Sequence, residues 1–325
     1  MGMDRRTFLL SSIAAAVAGA NSHAQTANVF KRAYPGFQKL VRHVAPYADV
    51  LCLAVDDHAD LAANAPLTDR SVLQSMREDG FTDICFEMSY EFDERAKRLL
   101  RGDIGRTAFI GALLSARNEY VLTMPADERK RLDDRADLKS YETIADAIMA
   151  ARAIGGINVH CVEPMTFQQS ADMGMRLRRA AAEKDTAAYI RLVEERLSFD
   201  GKAAAHVNAV RRGKAAVWYG AWHFLFQSQA PFPLFGKPEY NIDDNLRANG
   251  ARTVTVHMTN DDGLLWGIML NGLRQAADQW KKIVGADSAD FEYASKSDTV
   301  TQKNPAFPPI PSDLPLPLHS SPTLR

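Results

Sequence analysis

Residues 45 to 90 read APYADVLCLAVDDHADLAANAPLTDRSVLQSMREDGFTDICFEMSY. Two short apolar runs, VLCLAV (Val50 to Val55) and DICFEM (Asp83 to Met88), flank a helical pattern in which Val72, Leu73 and Met76 share a face. That is a strand, helix, strand unit. Thr68 and Asp69 can accept from the orphan N–H groups of the helix's first turn, and Gly80 tolerates the left-handed cap that ends it. Both runs are continuous rather than alternating, the pattern of parallel strands covered on both faces. In open parallel sheets the ligand crevice lies beyond the carboxyl ends of the strands. Asp56, Asp57, His58 and Asp60 follow the first run, and Glu87 stands near the end of the second. On this segment alone the acidic cluster reads equally well as a solvated βα loop. Glu87 is harder to place that way, because an unpaired carboxylate inside an apolar strand costs several kcal/mol.

Outward from this unit, residues 26 to 45 read as a lead-in helix and loop. Glu91 to Arg101 reads as an amphipathic helix, acidic early and basic late as the helix dipole prefers. Residues 104 to 138 are helical with a charged second half, and Ser140 to Ile154 is a helix stopped by Gly155 and Gly156. INVHCVEPMT is a third buried strand ending in Glu163. Its His160 reads as a satisfied core histidine. Residues 176 to 212 form one or two long helices broken near Ser198 to Gly201, with Asp200 as an N-cap candidate. Ala215 to Tyr219 is a fourth strand, followed by Gly220 and His223. Residues 227 to 240, Pro-rich and aromatic without period, suit a lid or specificity loop. Asp243 to Asn249 reads as a short helix, and ARTVTVHM as a fifth strand whose alternation suggests an exposed edge. Residues 264 to 284 form an amphipathic helix. The expected fold is therefore a three-layer α/β domain, a mainly parallel sheet of about five strands flanked by helices. It covers residues 25–303 and is followed by a Pro-rich, poorly ordered tail over 304–325 with seven of the fifteen prolines.

The first 24 residues carry paired Arg5 and Arg6, then Phe8 and Leu9, an apolar stretch to Ala20 and a small-x-small site at Ser22, His23 and Ala24. This resembles a twin-arginine export signal, which implies the translocase as a transient partner and a periplasmic or otherwise exported product. The apolar core is shorter than the roughly 20 residues of a membrane span. The remaining chain holds 37 basic against 39 acidic residues, which excludes a polyanion or nucleic-acid binder as the leading class. Cys52, Cys85 and Cys161 are odd in number, lack metal-type spacing and each fall in an expected strand, so they read as buried packing residues.

Four expected strands thus end in a polar group: Asp56 with His58, Glu87, Glu163 and His223. Histidines and carboxylates converging on one cleft suit a divalent metal with an open position, or a base and acid acting directly on a carbonyl. Their order and spacing resemble the superfamily that groups erythromycin-esterase-like proteins, ChaN-type haem-binding lipoproteins and the Tiki/TraB proteases. Its G-E-x-H motif corresponds to Val55, Asp56, Asp57 and His58, with Asp for Glu and the Gly lost. Glu87 supplies the strand-end Glu. Asp200, Ala203, Ala204, His206 and Val207 follow its helical pattern, with Phe199 where an Arg is expected, and Gly220, Ala221, Trp222 and His223 match its G-x-x-H.

The resemblance implies a site of His58, Glu87 and His223, catalytic or metal-ligating, with Asp56, Asp57, Glu163 and Asp200 around it. It also implies an exported hydrolase acting on a small-molecule or peptide ester or amide. The ChaN-like branch implies instead a non-catalytic haem- or small-ligand-binding protein, for which Trp218, Tyr219, Trp222 and Phe224 are the candidate pocket walls. An inactive scaffold, or a metallohydrolase using Asp57 and His58, is the remaining alternative.

Overall fold

The computed structural model describes residues 34–56, 58–124, 126–129, 134–225, 240–259 and 289–315. The expected export signal, Asp57, the lid segment up to residue 239, the helix at 264–284 and residues 316–325 lie outside them.

The opening unit folds as its apolar runs require. Strand β1 is Val50–Val55 and β2 is Phe81–Ser89. Every β1 side chain is wholly buried, the fate of a strand covered on both faces. Alternate residues serve different cores. Leu51, Leu53 and Val55 pack with helices α1 (Pro35–Val44), α3 (Arg70–Glu78), α4 (Asp93–Arg101), α5 (Arg106–Thr123) and α7 (Asp134–Ile154). Val50, Cys52 and Ala54 pack with α8 (Phe167–Ala182), α9 (Thr186–Leu197), α10 (Asp200–Val210) and α12 (Ile242–Ala248). Three layers result, as expected. The three cysteines are free and buried, and burial pushes their thiols up, out of reactive range.

Between β1 and α3 lies an additional short helix, α2 (Leu61–Thr68), N-capped by Asp60, whose carboxylate accepts from the N–H groups of Ala62 and Ala63. Asp69 caps α3 in the same way. The remaining strands are β3 (Asn158–Glu163), β4 (Lys214–Gly220), β5 (Thr253–Thr259), β6 (Phe291–Ala294) and β7 (Thr299–Gln302). Two very short helices, α6 (Ala126–Arg129) and α11 (Trp222–Leu225), and a 3-10 turn over Tyr90–Phe92 complete the described elements.

The sheet has seven strands in the order β3-β2-β4-β1-β5-β6-β7, parallel except for β7 against β6. Two strands more than expected are present, because β6 and β7 are only four residues each and carry little periodicity. Their presence corrects the reading of β5: it lies between β1 and β6, and Val254 to Met258 are buried. Its alternation reflects buried polar partners rather than solvent, since the Thr255 hydroxyl donates to Asp243 Oδ2 and His257 faces Asp56.

The start of the Pro-rich tail, 304–315, holds turns but no helix or strand and is anchored to α1. Lys39 Nζ and Arg42 donate to the carbonyls of Ser312 and Pro315, His43 Nε2 lies 2.9 Å from the carbonyl of Pro308, and Phe307 packs on Phe291. Among the described residues no helix is long and apolar enough to cross a membrane.

The chain leaves β1, goes to β2 and outward to β3, returns to insert β4 between β2 and β1, and then builds β5 to β7 on the other side. That reversal places a crevice at the carboxyl ends of β2, β4 and β1.

Candidate functional site

Three expected residues meet in that crevice, although they are far apart in the chain. Glu87 is the hub. His58 Nε2 lies 3.0 Å from its Oε2, the Gly220 N–H donates to the same oxygen at 2.7 Å, and His223 Nε2 is 3.5 Å from Oε1. Glu87 reaches this position through a β-bulge: between Phe86 and Ser89, β2 carries one residue more than its partner β3 between Cys161 and Glu163. An extra residue of this kind re-aims a side chain at a strand end.

The fourth partner was not foreseen. Arg196, in the last turn of α9, donates from Nη2 to Glu87 Oε1 at 2.9 Å and to Glu163 Oε2 at 2.6 Å. Where the resemblance expects an Arg beside Asp200, this chain has Phe199, and the guanidinium arrives from one turn earlier. The signal for it was a charged residue at helical spacing from Leu192 and Val193, on the face that α9 buries.

Burial alone would raise the Glu87 carboxyl, yet His223 and His58 outweigh it and hold the group well below the usual carboxylate range. Glu87 is therefore an anion at neutral pH. Burial pulls His223 down, but Asp200, 2.6 Å from its Nδ1, and Glu87 overcome this and push it up to about 9. Burial pushes Asp200 itself up to about 7 against the pull of His223. The pair thus retains a proton through neutral pH, and His223 directs its Nε2–H toward Glu87 Oε1. Exposure is graded: the side chain of His58 is 28% exposed and that of Glu87 18%, against 6% for His223 and 1% for Asp200. With Glu87 ionised, the His58 Nε2–H donates to it, and no hydrogen bond to His58 Nδ1 occurs among the described residues.

Gly220 is required for space rather than for backbone freedom. A Cβ there would stand 3.3 Å from Glu87 Oε2, 3.6 Å from His58 Nε2 and 3.8 Å from His223 Cδ2, in the middle of the site.

The surrounding candidates sort differently from expectation. Asp200 does orient His223, but is not the N-cap of α10: that place falls to Phe199, and the Asp200 carboxylate is turned to the imidazole. Glu163 touches neither histidine; it accepts from Arg196, the Tyr219 hydroxyl and the Met165 N–H. Asp56 pairs with neither His58 nor His223 but with His257 of β5, at 2.5 Å. His160 pairs through Nε2 with Asp83, which also accepts from the backbone of Arg212 and Gly213 near the opposite, amino end of the strands; it is a core histidine as expected, but only half satisfied, since its buried Nδ1 has no partner among the described residues. Asp57 lies outside the described residues.

The donor set does not suit a divalent metal. Both Glu87 oxygens are engaged, a guanidinium stands within the cluster where a cation would be repelled, and no group of three metal-type side chains is poised for an ion among the described residues. Nor do the expected haem-pocket walls gather. Trp218 and Tyr219 are consecutive on β4, so they enter opposite cores, and Phe224 is buried beside Tyr219. The side chain of Trp222 is outside the described set.

Comparison with known proteins gives no match: no family model, no curated protein and no solved structure is similar to this chain.

Proposed function

We propose that this chain is an exported hydrolase that cleaves an ester or amide with water, built on the plan of the erythromycin-esterase-like, ChaN and Tiki/TraB superfamily. One observation carries the reading: residues 58, 87 and 223 share a single carboxylate at a topological switch point of the sheet. Packing alone gives no reason for an anion, a protonated imidazole and a second, partly exposed imidazole to converge there.

In this mechanism His58 Nδ1 takes a proton from water while the oxygen attacks the substrate carbonyl. The Nε2–H end stays on Glu87, which fixes the ring and stabilises the imidazolium that forms. His223, protonated, backed by Asp200 and set beside Glu87, supplies positive potential together with Arg196 as negative charge develops on the carbonyl oxygen. Collapse of the tetrahedral adduct expels the alcohol or amine, which receives the proton held by His58. No step requires a metal. The amino-terminal DRRTFLL stretch supports export, and a small molecule or peptide is the substrate class.

The test is a panel of carboxylic esters, amides and short peptides assayed with the wild-type protein and with His58→Ala. Turnover by the wild type that falls by about 100-fold or more in the variant is the expected result. A folded His58→Ala protein with undiminished turnover would remove the mechanism.

A further inference from the structure

His58 sits on a short loop, and three ties outside its own ring contacts hold that loop. The Ala221 N–H donates to the Val55 carbonyl at 2.7 Å, pinning the end of β1 to β4. Asn64 Nδ2 donates to the His58 carbonyl at 3.3 Å, and Asn64 Oδ1 in turn accepts from Trp218 Nε1 at 3.0 Å. The third tie is the Asp56–His257 pair. His257 stands opposite Ala54 in the parallel register of β1 and β5, so Asp56, two residues beyond Ala54, is its diagonal neighbour on the same face. The two side chains are 9% and 8% exposed and 2.5 Å apart, so the contact lies largely out of solvent. A displacement of about 1 Å at a reacting group costs on the order of 100-fold in rate, so whatever fixes Asp56 also bears on His58, two residues on.

We propose that His257 is a positioning residue for His58: through Asp56 it sets the loop so that the His58 imidazole meets Glu87. The proposal rests on the functional reading above for its kinetic consequence, but not for its structural one. The two are separated by a readout that needs no substrate. Side-chain 15N–1H correlation spectra of the eight histidines, with His58 assigned by its loss in His58→Ala, report which ring nitrogen carries the proton.

In the wild type, His58 gives the pattern of one fixed Nε2–H tautomer. In His257→Leu that pattern moves toward the average of the two tautomers, and in His257→Gln, which returns a donor to Asp56, it recovers. Should His257→Leu fail to fold, Asp56→Asn, which keeps the side-chain volume and weakens the pair, is expected to shift the same signals. Unmoved His58 signals in a folded His257→Leu or Asp56→Asn protein overturn the proposal, as does a His257→Gln spectrum identical to that of His257→Leu. If a substrate is found, His257→Leu lowers kcat about tenfold with KM nearly unchanged, and His257→Gln restores it. Absence of turnover from the wild type would end the hydrolase reading and leave the spectra to decide the role of His257. Turnover with unmoved spectra would end only that role.

Discussion

At the scale of single residues, Glu87 decides the site, since one carboxylate orders two imidazoles, a guanidinium and a backbone N–H. Glu87→Gln leaves Arg196 and His223 facing a neutral amide. Breaking a buried pair costs about 3–5 kcal/mol, and partial exposure of Glu87 reduces this to an expected loss of about 2–3 kcal/mol in urea unfolding. A loss below about 0.5 kcal/mol would mean that solvent already screens the cluster. Gly220→Ala should instead spare stability, because the backbone there needs no left-handed conformation. Its methyl group presses on Glu87 and comes into contact with His58 and His223, and activity is expected to fall about tenfold with an unchanged urea midpoint. His58, Glu87 and His223 were legible because each is a polar residue where an apolar strand ends. Arg196 was not, since its place on the apolar face of RLVEERL separates it from the exposed Arg191 but does not say which carboxylates that face meets; that follows only from the tertiary fold. His257 was hidden by an alternation that mimics an exposed strand.

At the scale of elements, the opening strand, helix, strand unit was readable from continuous apolar runs and caps, and so were β3, β4 and the break between α9 and α10. The bulge in β2 was not, because it depends on where β3 pairs rather than on any residue in β2 itself. The β6–β7 hairpin was missed for its brevity, yet it fastens the amino end of α1. Asp298, at the hairpin turn with φ 55°, accepts from the N–H groups of Gly36 and Phe37 and from the Tyr293 hydroxyl. Removing it strands donors that are partly buried, so Asp298→Ala should cost about 1–3 kcal/mol and increase amide exchange in α1. Asp298→Asn, which tolerates the left-handed turn and retains an acceptor, should cost less. Equal effects of the two would show that the charge, not the acceptor, matters.

At the scale of the whole molecule, the site couples stability to pH. The folded pKa of His223, about 9, lies above its ordinary value, so its contribution is complete below about pH 6.5 and is lost as pH rises through 9. Asp200, pushed up to about 7, acts in the same direction over the range below that. Glu87 acts oppositely: its contribution is present above the ordinary carboxylate range and is lost as pH falls through its depressed folded pKa. The urea midpoint should therefore decline between pH 6.5 and 9, and His223→Gln should abolish most of that decline; a variant that keeps the full slope would place its origin elsewhere. The three-layer plan was legible as a whole, since it follows from hydrophobic pattern, whereas the strand order was not, since no local signal states which strands become neighbours. That order fixes a sequence of events in time. Because β4 is the wedge between β2 and β1, a ribosome that has released only the first two hundred residues has made His58 and Glu87 but not the strand that brings them together. Parallel pairing over such separations is slow to nucleate, so competence should emerge late and all at once.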